Sequence, residues 1–80
     1  MSPAQCRAAR GLLDWTQPDL AKRSGISKKA IIAFERGATT RLHRRTSEAL
    51  IAAFEEAGIV FINRGVRLRG SAKNPTRGED

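Results

Sequence analysis

The sequence predicts a single, mainly α domain of four helices followed by a C-terminal β-hairpin. Three observations predict it. Apolar residues recur at three- and four-residue spacing through four stretches, bounded by hydroxyl-bearing or glycine residues. The pattern then changes to the short runs IVFI and VRLR on either side of Asn63-Arg64-Gly65, a turn signal. Eighty residues with 40% hydrophobic content suffice for one small core, near the lower size at which a core alone holds a fold.

The first helix starts at Ser2-Pro3, a capping hydroxyl followed by proline at the first helical position. Cys6, Ala9 and Leu13 form its apolar stripe, and Asp14-Trp15 ends it. Thr16 opens the second helix by accepting from the Asp19 backbone, and the Asp19 carboxylate suits the positive helix start. Leu20 and Ala21 face inward, and Gly25 stops the helix in a left-handed turn that a Cβ would disfavour. Ile26 plugs the core and Ser27 caps the third helix, which Gly37 ends. On that helix Ile31 and Phe34, with Ala30, make one face; Lys28, Lys29, Ile32, Ala33 and Arg36 make the other. ATTRLHRRT is a polar loop with three arginines. A fourth helix follows, roughly His43 to Ala57, with Leu50, Ile51, Phe54 and Ala57 inward and Gly58 closing it. In the hairpin turn Gly65 is available for a positive φ. The domain is expected over residues 1–69, with 70–80 a polar, disordered tail.

Charge narrows the function. The formal net charge is +7. Residues 1–37 carry seven Lys/Arg against three acids, and residues 59–69 carry three Arg and no acid. A basic excess on a small domain points to a polyanion partner. Two lysines on the first turn of the third helix oppose the helix dipole, which prefers acids there. Local stability therefore does not account for Lys28 and Lys29; either a partner or plain solubility does.

Enzymatic classes find little support. Ser24, Ser27 and Ser47 lack His and Asp partners in a recognisable order, and the lone His43 has no ligand cluster around it. Neither a metal nor a cofactor is expected. Cys6 lies on an apolar stripe and reads as a small buried hydrophobe, and a single cysteine suits a cytoplasmic chain. MSPAQCRAAR lacks a signal-peptide apolar segment, and no apolar run is long enough to span a bilayer, so no membrane partner is expected.

Two short helices joined across a glycine-containing turn make a helix-turn-helix, whose second helix can enter the DNA major groove. CRAARGLLDWTQPDLAKRSGISKKAIIAFERG, and more loosely SEALIAAFEEAGIVFI, resembles the phage-repressor-like (Cro/XRE-type) helix-turn-helix transcriptional regulators. SPAQCRAARGLLDWTQ with AGIVFI and GVRLR is similar to a small bacterial subgroup. The resemblance implies a lambda-repressor-like domain of four to five helices, a cytoplasmic protein of bacterial or phage origin, and double-stranded DNA as partner. By the same resemblance Lys28, Lys29, Ile32 and Ala33 face base edges. Gln17, Arg36, Thr40, Arg41 and Arg44 lie near phosphates, and Arg10 pairs with Glu35 as a structural ion pair. Ile32 and Ala33 depart from the polar residues common at their positions; either they contact thymine methyl groups or they are less informative positions.

Both faces of IVFI are apolar, and a two-stranded hairpin needs cover. Ile59, Val60, Phe61 and Ile62 are therefore expected at a homodimer interface; the alternative is a hairpin folded over its own helices. Arg64, Arg67 and Arg69 either touch DNA flanks or keep the sheet edge from aggregating. A dimeric repressor is the resulting expectation. An antitoxin-type autoregulator or a protein-binding anti-activator, with an unidentified protein partner, is the rival.

Overall fold

A computed structural model describes residues 1–38 and 42–70. Its elements are α1 (Pro3–Leu13), α2 (Gln17–Ser24), α3 (Lys28–Glu35), α4 (Arg44–Glu56), β1 (Ile59–Ile62) and β2 (Gly65–Leu68). This is a mainly α helix-turn-helix fold of four helices with a small C-terminal hairpin. Thr40, Arg41 and the tail from Ser71 onward lie outside the described residues.

The first three helices begin where the hydroxyls place them. Ser2 Oγ accepts from the Gln5 backbone N–H at 3.0 Å, while Gln5 Oε1 accepts from the Ser2 N–H at 2.9 Å. Thr16 and Asp19 repeat this reciprocal cap at 3.1 and 2.9 Å. The Thr16 backbone N–H, and then its side chain, hold the exposed Asp19 carboxyl below its ordinary pKa. Ser27 Oγ accepts from the Ala30 N–H at 3.1 Å. Each such cap is worth about 1 kcal/mol. α4 starts at His43 without a side-chain cap. Helix α1 ends on Asp14 and α2 on Gly25, both left-handed, with φ of 59° and 76°.

Every element contributes to one core except β2, which covers it. Cys6 and Ala9 of α1, Leu20 of α2, Ile31 and Phe34 of α3, Leu50, Ala53 and Phe54 of α4, and Ile59 of β1 are buried. Leu13, Trp15, Ala21, Ile26, Phe61, Val66 and Leu68 pack against this cluster. Phe54 stacks on Trp15 with centroids 5.8 Å apart and meets Phe61 edge-on at 6.1 Å. The inward stripe of α4 differs from the expected one. Ala53 is buried, whereas Ile51 and Ala57 are half-buried. With about 100° per residue, Ala53 lies about 60° to one side of Leu50 and Phe54 about 40° to the other, so the buried stripe is centred near Leu50.

The hairpin pairs Ile59 with Leu68, Val60 with Arg67, Phe61 with Val66 and Ile62 with Gly65. Alternation then puts Ile59, Phe61, Val66 and Leu68 on the core side and Val60, Ile62 and Arg67 on the other. Of the four β1 residues expected at an interface, two therefore lie on the core side. Ile59 is 1% exposed and Phe61 is half-buried against Phe54, so both serve the chain's own core, while Ile62 is 48% exposed. The turn differs too. Arg64 takes the positive φ (66°), and Gly65 is the first residue of β2. Pairing of Ile62 with Gly65 leaves only Asn63 and Arg64 in the turn, so the left-handed position falls on Arg64. Gln5 Nε2 fastens this end to α1 by donating to the Ile62 and Gly65 carbonyls at 2.8 and 3.0 Å.

Candidate nucleic-acid interface

Helix α3 has two faces with different chemistry, and the inner face fixes where the outer one points. Ile31 and Phe34 anchor it in the core, and Glu35 at its last turn is 5% exposed. A carboxylate this buried needs partners. Arg10 Nε donates to Glu35 Oε2 at 2.8 Å and Arg10 Nη2 to Oε1 at 2.7 Å, a two-pronged pair. Gln17 Nε2 donates to Oε1 at 3.1 Å and the Cys6 thiol to Oε2 at 3.0 Å. The Arg7 guanidinium donates to the Glu35 backbone carbonyl. Two residues of α1 and one of α2 thus converge on one carboxylate of α3, and a third from α1 holds its backbone.

The electrostatics follow from this convergence. Burial acts to raise the Glu35 pKa, but hydrogen bonds from Arg10, Cys6 and Gln17 overcome it and hold the carboxyl below its ordinary value. Hydrogen bonding to Glu35 raises the Arg10 pKa against its own desolvation. Burial, then the hydrogen bond to Glu35, pushes the Cys6 thiol far up, so it stays a neutral donor. Cys6 is therefore more than the packing residue its sequence position suggests.

The outer face carries Lys28, Lys29, Ile32, Ala33 and Arg36 together. These five residues line a concavity of about 370 Å³. Lys28, Lys29 and Arg36 are exposed, and Ile32 and Ala33 are half-buried. Around the helix the order is Lys28, Ile32, Arg36, Lys29, Ala33, with no acid among them. Arg44, the first residue of α4, is exposed. Gln17 stands apart from this group because its amide donates to Glu35, linking α2 to α3. Thr40 and Arg41 fall outside the described residues. Arg10 and Glu35 sit together in the interior, and Ile62 with Val60 lies on the outer side of the hairpin.

The sequence reading missed the contacts of Arg7 and Gln17 with the α3 terminus, and that of Gln5 with the hairpin turn. Local spacing carries no signal for the first two, since 28 and 18 positions separate the partners. Arg23 gave no signal either; its guanidinium lies 4.6 Å from the centre of the Trp15 ring. Among the described residues, no group of three or more His, Cys, Asp or Glu side chains is arranged to hold a metal ion. No helix among them is long and apolar enough to cross a membrane.

With this geometry in place, the chain belongs to the helix-turn-helix family. The family model, described as helix-turn-helix, matches residues 7–57, more than half of the chain. That span runs from Arg7, which holds the α3 terminus, to the end of α4. The architecture supports a DNA-binding regulatory function and is of a kind typically without catalytic activity. No curated protein matches the chain significantly.

Proposed function

We propose that this chain is a Cro/XRE-type transcriptional regulator with a lambda-repressor-like domain, acting as a dimeric repressor on a two-fold operator. The observation that carries the reading is the outer face of α3, where Lys28 and Lys29 precede and Arg36 follows Ile32 and Ala33 along the helix, with no acid present. Such a face complements the acceptors and phosphates of a major groove. Lys28, Lys29, Ile32 and Ala33 meet base edges, and Arg36 and Arg44 meet phosphates. Thr40 and Arg41 keep the phosphate role that the resemblance implies, whereas Gln17 acts mainly through Glu35 to orient the reading helix. The Arg10–Glu35 pair is structural.

The homodimer uses the outer side of the hairpin, Val60 and Ile62, rather than Ile59 and Phe61. In a two-fold complex the two α3 helices lie about 34 Å apart, one turn of B-DNA. The test is a gel-shift titration on the upstream intergenic duplex and on unrelated DNA at physiological salt. Preference for the first by about 10³-fold or more supports the regulator. Lys28→Ala with Lys29→Ala removes about 1–3 kcal/mol of discrimination for each base the lysines read and leaves the circular dichroism spectrum intact. Undiminished binding by that double variant overturns the assignment of the reading face. Equal, weak binding to both duplexes favours instead a regulator that works through a protein partner.

A further inference from the structure

The outer face of α3 has a middle and a rim of different kinds. Ile32 and Ala33 are half-buried in the free protein, and the concavity of about 370 Å³ around them is bounded by Lys28, Lys29 and Arg36. Lysine and arginine stems are aliphatic, so they extend the apolar floor while their heads stand at its edge. All three heads are hydrogen-bond donors, and none of the five side chains has an acceptor. This face therefore has nothing to offer adenine N6 or cytosine N4, which present donors in the major groove. It suits acceptors at the rim, such as guanine O6 and N7 or phosphate oxygens, and an apolar group in the middle. The base pairs of B-DNA expose one such apolar group in the major groove, the C5-methyl of thymine. A cytosine methylated at C5 presents the same group.

We infer that Ile32 and Ala33 read the C5-methyl group of a pyrimidine, flanked by acceptors that Lys28, Lys29 and Arg36 engage. The inference rests on the operator-binding reading above and specifies its chemistry. Ile32, beside Lys28 and one turn before Arg36, supplies most of the apolar contact, and Ala33 leaves room for the methyl to approach.

The experiment uses the full chain and the intergenic duplex it prefers, with the bound bases located by footprinting. Each protected thymine is replaced in turn by deoxyuridine, which removes the methyl and keeps the base pairing. In a second arm each protected cytosine is replaced by 5-methylcytosine. One buried methyl corresponds to about a fourfold change in affinity. A loss of that size at one or two thymines identifies thymine as the source. A gain of that size on cytosine methylation, without sensitivity to deoxyuridine, identifies 5-methylcytosine. Ile32→Ala abolishes whichever sensitivity is found. If the sensitivity survives in Ile32→Ala it comes from DNA shape, and the inference fails. If neither replacement changes affinity while preference for the duplex persists, operator binding stands and methyl reading falls. Loss of all preference between duplexes overturns both.

Discussion

The junction around Glu35 and the ground beneath the hairpin are held together by opposite means. At the first, directional polar bonds from Cys6, Arg7, Arg10 and Gln17 meet at the end of α3. At the second, Phe54 joins Trp15 to Phe61 by ring contact, and the hydrogen bonds from Gln5 anchor the turn. Apolar contact is tolerant of angle, whereas a two-pronged ion pair is not. The polar means fixes the orientation of α3, and with it the direction in which the face carrying Lys28 and Ile32 points. The apolar means is used where only cover is needed.

Removing one partner from the polar junction should give the largest effect. Arg10→Ala leaves a buried carboxylate uncompensated and costs about 3–5 kcal/mol in urea unfolding. The same junction has a pH signature. The folded Glu35 pKa lies below its unfolded value, so its stabilisation is present above the unfolded carboxylate range, near pH 4. It is lost as pH falls through the lower folded value. Asp19 contributes in the same direction. Thermal melts between about pH 2 and 6 should show this acid-side slope in the wild type and a smaller one in Glu35→Gln.

The apolar side should respond less and without a pH signature. Phe54→Leu removes two aromatic contacts and costs about 2 kcal/mol at every pH; a destabilisation that tracked acid titration would dissolve the contrast between the two regions. Gln5→Leu deletes the bonds to the Ile62 and Gly65 carbonyls. It also removes the cap bond from the Ser2 N–H, so it should cost about 1–2 kcal/mol, with faster amide exchange in the hairpin and at the start of α1. Ile62→Thr is the mildest, within about 0.5 kcal/mol for the lone chain. If the outer hairpin side joins two copies, the same change should shift sedimentation toward monomer; an unchanged dimer would place the contact elsewhere.

Much of this was legible because the governing signals are local. The caps at Ser2, Thr16 and Ser27 act within three residues, and the stops at Asp14 and Gly25 follow from chain chemistry at one position. The grouping of Lys28, Lys29, Ile32, Ala33 and Arg36 on one face follows from helical period alone. The pairing of Arg10 with Glu35 came from family resemblance, since nothing in their spacing across two helices requires it. What escaped was tertiary. Ala53 and Ile51 are both apolar, so the period could not rank which faces the core. Turn composition pointed to Gly65, but strand register decided for Arg64. Gln5 carries no long-range signal in the sequence, yet its Nε2 reaches residues 57 and 60 positions away.

That reach of Gln5 bears on the order in which the molecule assembles. The contacts among α1, α2 and α3 close over short to moderate separations, whereas docking the hairpin on α1 closes a loop of nearly sixty residues. Loop-closure entropy makes such a step late, and contacts at this separation slow the approach to the native state. Until β1 docks, the core lacks Ile59, one of its fully buried side chains. The three helices that carry the proposed reading face are therefore expected to gather first and to become rigid only when the hairpin arrives.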